Sequence, residues 1–322
     1  MELKNVKLYV GPVTKNVVDT VIKLSKENYK IGLIPSRRQI DWDGGYVNNW
    51  TTESFFDYIG EDRKNIILER DHGGIGQGEY YDNGATSLYV DSKLFDIIHI
   101  DPFLNYKKFQ QSLSEMIDNI KFINKINDKC LFEVSTEESI LNINNETLSN
   151  ILLTLDNKLG EIFKNNVKYC VIQSGTKLKG IKNIGNYDIK RLKKGLNVCE
   201  KYNLLSKEHN GDYLDINQIK TKFDTGLSAI NIAPEFGVFE TDILLENMTE
   251  YQKDKFFNVC YNSNKWVKWV DENFDPFKNK LELMRICGHY QFSTTDFLEM
   301  NINIDDIIQE KMYEKIKKIC EL

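Results

Sequence analysis

Cysteine, proline and histidine are all scarce in this chain of 322 residues, and each shortage excludes something. The six cysteines (Cys130, Cys170, Cys199, Cys260, Cys287 and Cys320) are far apart and form no CxxC pair. They read as reduced, buried thiols rather than as a disulfide framework or a cysteine zinc site. Five prolines and 19 glycines leave no room for a collagen-like or proline-rich tract. No apolar run approaches the ~18 residues needed to span a bilayer, so no membrane association is expected. Positive charge is also short: 42 Lys+Arg against 48 Asp+Glu give a net charge of -6, a field that opposes nonspecific nucleic-acid binding. The first residues, MELKNVKLYVGP, lack the basic, then apolar, then small pattern of a signal peptide. A cytoplasmic protein is therefore expected. With 41% hydrophobic and 28% charged residues, the composition is that of an ordinary globular enzyme.

What is present is a regular alternation. β-rich runs fall at residues 6–10 (VKLYV), 29–34 (YKIGLI), 65–69 (NIILE), 96–100 (DIIHI), 130–134 (CLFEV), 167–172 (VKYCVI), 204–206 and 227–232 (LSAINI). Between them lie amphipathic stretches at 14–28, 52–59, 85–95, 107–127, from 134 out to 164, at 188–202 and at 216–223. Strand and helix in eight-fold alternation predict a (β/α)8 TIM barrel over residues 1–240; a doubly wound open sheet is the structural alternative. Beyond residue 240 the alternation stops. Residues 254–270, 281–287 and 304–320 predict a helical extension, 241–322, packed on the barrel through aromatics such as Phe256, Phe257, Trp266 and Trp269.

In such a barrel the carboxyl ends of the strands carry the chemistry. The polar residues fall there. Strand two exits into Ser36, Arg37, Arg38 and Gln39, and strand three into Asp71, His72 and the glycine loop 73–78 (GGIGQG). Strand four carries His99 and Asp101, strand five Glu133, and strand six runs into Gln173, Ser174, Gly175 and Thr176. Strand seven ends at His209, and strand eight holds Asn231 with Glu235 just beyond. Three of the four histidines lie in this set; the fourth, His289, is in the tail.

The glycine loop lacks the Lys-Ser/Thr of a P-loop and the setting of a dinucleotide fingerprint, so neither is expected. Adjacent arginines at a strand end predict that one guanidinium, Arg37 or Arg38, faces the barrel mouth and holds a phosphate or carboxylate. A divalent metal held by His72 and His209 would polarise a substrate carbonyl, and Asp71, beside it in sequence, would move a proton. His99, Glu133 and Gln173 are the candidates to complete the shell, and the donor types suit zinc or another first-row divalent ion. Aldol cleavage, isomerisation and epimerisation share this enediolate chemistry.

The segments IGLIPSRRQIDWDGGY, IILERDHGGIGQG, FDIIHIDPF, KEHNGDYL, LSAINIAPEFGVFETDILLE and GHYQFSTTDF resemble the class II sugar-phosphate aldolases, and most of all the accessory-subunit (Z-type) branch of the tagatose-1,6-bisphosphate aldolases. The resemblance implies a metal-dependent aldolase-like enzyme acting on a phosphorylated or acidic sugar, with Asp71 as acid/base and His72 and His209 as metal ligands. It places Gln173 where the family's central metal histidine is expected. It assigns His99 and Asp101 to a polar strand-four motif, and Asn231 with Glu235 to an asparagine-plus-acid pattern that contacts substrate, Glu235 standing with Asp71 as the second catalytic candidate. Ser36, Arg37, Arg38, Gln39, Asp101, Gln173, Gly175 and Asn231 are the expected substrate contacts, and His72, His209, His99 and Glu133 the expected metal set. A sugar epimerase, and a noncatalytic subunit that stabilises a separate aldolase, remain the alternatives. The partner is accordingly a sugar or sugar phosphate, with a homo-oligomer or a second aldolase subunit implied by the family.

Overall fold

A computed structural model describes residues 2–60, 63–103, 108–134 and 145–322. Eight parallel strands close into a barrel: β1 (Leu8–Val10), β2 (Ile31–Leu33), β3 (Ile66–Gly73), β4 (Ile97–Ile100), β5 (Leu131–Val134), β6 (Val167–Val171), β9 (Leu205–Glu208) and β10 (Ala229–Ile232). The β7–β8 hairpin (Leu178–Lys179, Lys182–Asn183) stands outside it, in the loop that follows β6. Closure is made by β1, whose Leu8 lies opposite Ile31 of β2 on one side and Ile230 of β10 on the other. The strands are short and buried on both faces, because one face fills the barrel and the other meets a ring of helices.

That ring consists of α1 (Lys15–Lys26), α2 (Thr52–Ile59), α3 (Ala85–Leu94), α4 (Phe109–Ile126), α5 (Asn145–Leu159), α6 (Glu161–Asn166), α7 (Ile189–Lys201), α8 (Ile216–Thr225) and α9 (Pro234–Asn247). Several start on side chains that cap free backbone donors. Thr14 accepts from the Val17 N–H, Asp188 from Lys190 and Arg191, and Asp215 forms a reciprocal box with Gln218. Each such cap contributes about 1 kcal/mol. The expected helices from 107 and from 134 include residues 107 and 135–144, which lie outside the described residues.

Alternation along the strands divides the side chains. Val10, Leu33, Leu68, Ile98, Ile100, Phe132 and Ile230 join the main core between strands and helices. Tyr9, Ile67, Ile97, Tyr169 and Ala229 form a separate cluster that the two-residue period turns toward the barrel axis. Inside the barrel the Tyr9 and Tyr169 rings meet edge to face at 5.8 Å, and the Tyr9 hydroxyl donates to that of Tyr169 at 3.1 Å.

The tail holds α10 (Glu250–Asn262), α11 (Lys280–Cys287), α12 (Thr295–Leu298) and α13 (Asp305–Cys320). The helix expected over 254–270 instead ends at Asn262. Asn264 turns left-handed at φ 55°, and the Trp266 indole donates to the Tyr261 carbonyl, folding the aromatics back. The 240/241 boundary falls inside α9. That helix contributes Phe236 to the barrel core and Ile243, Leu244 and Leu245 to the tail's core, while α13 places Met312, Ile316 and Ile319 in the barrel core. The two parts are thus stitched in both directions. No described helix is long and apolar enough to cross a membrane.

Gly32 shows how tightly the interior is filled: a Cβ there would stand 2.1 Å from the Tyr9 ring. Gly32→Ala is expected to destabilise the protein by about 1–3 kcal/mol through overpacking, read as a lowered urea midpoint with an unchanged m-value. An unchanged midpoint would show that the ring can move aside.

Candidate metal-dependent active site

The upper half of the barrel interior is charged. Lys207, fully buried, places its ammonium 2.5 Å from Glu69 and 2.7 Å from Glu133, which are also fully buried. It lies over the Tyr9 and Tyr169 rings at 3.7 and 4.2 Å. Burial raises the Glu69 carboxyl, and the Glu133 charge raises it further. Burial opposes ionisation of Glu133 too, but Lys207 and then His209 hold it well below the usual carboxylate range. One carboxylate and one ammonium thus share the interior with a carboxyl that favours its proton.

Glu133 also accepts from His209 Nε2 at 2.8 Å. That bond fixes the imidazole tautomer and turns Nδ1 toward Asp71, 3.9 Å from its Oδ1. His99 Nδ1 and His72 Nε2 each lie 3.5 Å from the same oxygen. One ligand atom from each of Asp71, His72, His99 and His209 falls within 4.8 Å of all the others. Donors held ~2.0–2.1 Å from a tetrahedral ion stand about 3.3 Å apart, so the donor set and its spacing fit a divalent metal. Burial alone would raise the Asp71 carboxyl; His72, followed by His99 and His209, brings it below its ordinary value.

The two-residue period of β3 turns Asp71 inward and would turn His72 outward. The chain breaks that period: pairing with β4 shifts register between Arg70 and Gly73, and His72 adopts φ 48°, in the left-handed region. The irregularity re-aims His72 so that its ring lies 4.7 Å from that of His99. Just before it, the buried Arg70 faces the helices, bound bidentately by Asp91 and donating to the Pro35 and Ile40 carbonyls. The backbone of Asp71 is tied to the loop that follows β2, its N–H donating to the Pro35 carbonyl at 3.0 Å.

Several expected roles change. Glu133 lies outside the Asp71–His72–His99–His209 cluster, its oxygens facing His209 and Lys207 and one of them 3.8 Å from His99 Nδ1. Arg37 does not reach into the mouth as an anion holder. It is 2% exposed, and its guanidinium is taken by Asp41 at 2.9 Å, by both oxygens of Asp82 and by the Gly74 carbonyl at 2.7 Å. Its task is to pin the glycine loop. Arg38 is exposed and lines a surface cavity of about 490 Å³ with Trp42, Tyr80 and Lys265. Glu235 is turned away from Asp71: its carboxylate holds Lys315 at 2.5 Å and the Tyr213 N–H at 2.5 Å, on an outer groove with Phe239.

The remaining candidates are placed as follows. The Ser36 N–H donates to Gln39 Oε1 at 2.7 Å, and Ser36 bridges to Asp71 through the backbone, so both residues order the loop beside Asp71. Asp101, buried, accepts from the Phe103 N–H at 3.1 Å. Gly175 makes a turn at φ 101°, where a Cβ would meet the Asn186 carbonyl at 2.1 Å. Gln173 presents both amide atoms, and Asn231 its Oδ1, buried and without a hydrogen-bond partner among the described residues. Lys207 and Glu69 were missed from the sequence, although the period Leu205, Lys207, His209 does point the lysine inward.

No family model matches this chain, and neither does any curated protein. Solved structures do share its fold. A "probable tagatose 6 phosphate kinase" from Sinorhizobium meliloti superposes with a TM-score of 0.70 at 13% identity, covering 97% of this chain and 92% of that one. The fructuronate-tagaturonate epimerase UxaE of Cohnella laeviribosi gives 0.66 at 8%, covering 98% and 81%. The YdjI aldolase of Escherichia coli gives 0.56 at 12%, covering 98% and 91%. The fold shared with these structures is the (β/α)8 barrel.

The Glu133–His209 bond generates a direct test. Glu133→Gln, which keeps the shape but loses the charge beside Lys207, is expected to weaken zinc binding about 10–100-fold, measured by competition with a chromophoric chelator. Unchanged affinity would separate Glu133 from the orientation of His209.

Proposed function

We propose that this protein is a metal-dependent, aldolase-like enzyme that deprotonates a sugar next to its carbonyl, in the course of aldol cleavage or condensation. The observation that carries the reading is the convergence of three imidazole nitrogens on one oxygen of Asp71. A noncatalytic scaffold has no use for that arrangement, and the fold it shares with an aldolase and a sugar epimerase supports the same reading.

His72, His99 and His209 would hold the ion, zinc being the best match to three imidazoles. A bound divalent ion supplies Lewis-acid polarisation of the substrate carbonyl. Asp71, kept ionised by the surrounding imidazoles, is the base: its carboxylate takes the proton from the carbon or hydroxyl beside the carbonyl and returns it later. Glu133 and Lys207 hold His209 in one tautomer throughout, so the ring does not compete for that proton. The unpartnered amide of Gln173 and the Oδ1 of Asn231 orient substrate hydroxyls. Epimerisation begins with the same proton abstraction and is the second reading, favoured by the fold shared with the epimerase.

The test is exchange of carbon-bound hydrogen with D2O, followed by proton NMR on the zinc- or manganese-loaded protein with ketoses. Wild type is expected to catalyse exchange. Asp71→Asn should keep its metal and lose exchange by about 10²–10⁴-fold. Equal exchange in the variant would remove Asp71 from the mechanism, and no exchange by wild type with any ketose would favour the noncatalytic subunit.

A further inference from the structure

We propose that the sugar accepted by this barrel carries no phosphate at the end facing the seventh and eighth barrel strands, β9 and β10, and that Asp212 is the residue that excludes it. The inference rests on the catalytic reading above and narrows its substrate class to sugars that present hydroxyls there.

The loops after the last two strands of a TIM barrel, with a helix N-terminus beside them, are where such enzymes frequently bind phosphate, because free backbone N–H groups converge there. In this chain those donors are already used. Asp212, 2% exposed, sets its Oδ1 against the N–H of Ala233 at 3.0 Å and of Glu235 at 2.8 Å, at the start of α9. Pro234 between them has no N–H, and the Phe236 N–H donates to the Ala233 carbonyl at 3.1 Å. On the β9 side, the Gly211 N–H donates to the Asn231 carbonyl at 2.9 Å and the Tyr213 N–H to Glu235. A protein carboxylate therefore sits where the anion would sit, with a second, Glu235, close by. A dianion entering would find the Asp212 carboxyl, which burial pushes up to about 7, already occupying the donors, and no free N–H at the start of α9.

The side-chain cations nearby do not compensate. Lys222 is held by Glu208 and Ser174, both at 2.5 Å, and Lys315 by Glu235. What faces the cleft instead is neutral: the amides of Gln173 and Asn231, which combine donor and acceptor as a polyol requires.

The experiment compares dihydroxyacetone with dihydroxyacetone phosphate in the D2O exchange assay, and measures binding of inorganic phosphate by 31P NMR to wild type, Asp212→Gly and Asp212→Asn. Wild type is expected to exchange the free triose at least about tenfold faster than its phosphate and to show no saturable phosphate binding. Asp212→Gly, which frees two backbone donors, should gain phosphate binding. Asp212→Asn keeps the acceptor without the charge, and serves if the glycine variant does not fold; it should tolerate phosphate better than wild type. Faster exchange of the phosphate ester, or saturable phosphate binding by wild type, would overturn the proposal. If neither triose exchanges, the catalytic reading fails, and the phosphate titrations alone decide the role of Asp212.

Discussion

The ammonium of Lys207, buried between Glu69 and Glu133 in the barrel interior, is the interaction on which the site depends. An ammonium in such a place is tolerable only when countercharges touch it, and removing one partner of a buried pair typically costs ~3–5 kcal/mol. The Glu133 carboxylate, the Glu69 carboxyl and the Tyr9 and Tyr169 faces meet that requirement. They also tie three strands of the barrel across its axis. Because Glu133 spends one oxygen on Lys207, its other is left to fix His209, and His209 in turn faces Asp71. The charged layer is thus both a structural cross-brace and the means by which a flexible imidazole is given one orientation.

Above that layer, the backbone departs from its regular conformation where the chemistry needs it. His72 holds a left-handed conformation that a non-glycine residue seldom adopts, at a cost of order 1–3 kcal/mol. In return, two consecutive residues, Asp71 and His72, face the same cleft, which no regular strand allows. The surroundings hold this irregularity in place. Arg70 anchors the strand just before it, and Arg37 anchors the glycine loop just after it through Gly74 and Asp82. Both arginines are buried and fully engaged, so their charge goes into fixing loops.

Much of this was legible in the amino-acid order, and the parts that were not share a cause. The barrel could be read because each strand is a short apolar run between amphipathic helices, and Asp71, His72, His99 and His209 because strand ends form one rim. Sequence reports which residues reach that rim but not which way each one turns. Glu133, Arg37 and Glu235 all lie at strand ends or in the loops beyond them, and all are turned to protein partners: a buried lysine with a histidine, two aspartates, and a lysine of α13 more than seventy residues away. Apart from the local Arg37–Asp41 pair, these pairings depend on long-range contacts that no local period encodes. The seam between barrel and tail is blurred for the same reason, since α9 and α13 each serve the core of the other part.

The unpaired amides of Gln173 and Asn231 complete the argument. A buried polar atom left without a partner costs about 1–3 kcal/mol, and many buried groups of this fold are paired so as to avoid it. Asp212 closes off the N–H groups at the start of α9, Asn166 donates to two carbonyls, and Arg70 reaches four separate groups. The amide of Gln173, just past β6, and the Oδ1 of Asn231, in β10, lie on either side of β9, where a ligand would complete their hydrogen bonding. Their neutrality then carries chemical information: they offer hydroxyl-sized, uncharged recognition, while the charged work of the site is confined to Asp71 and the histidines around it.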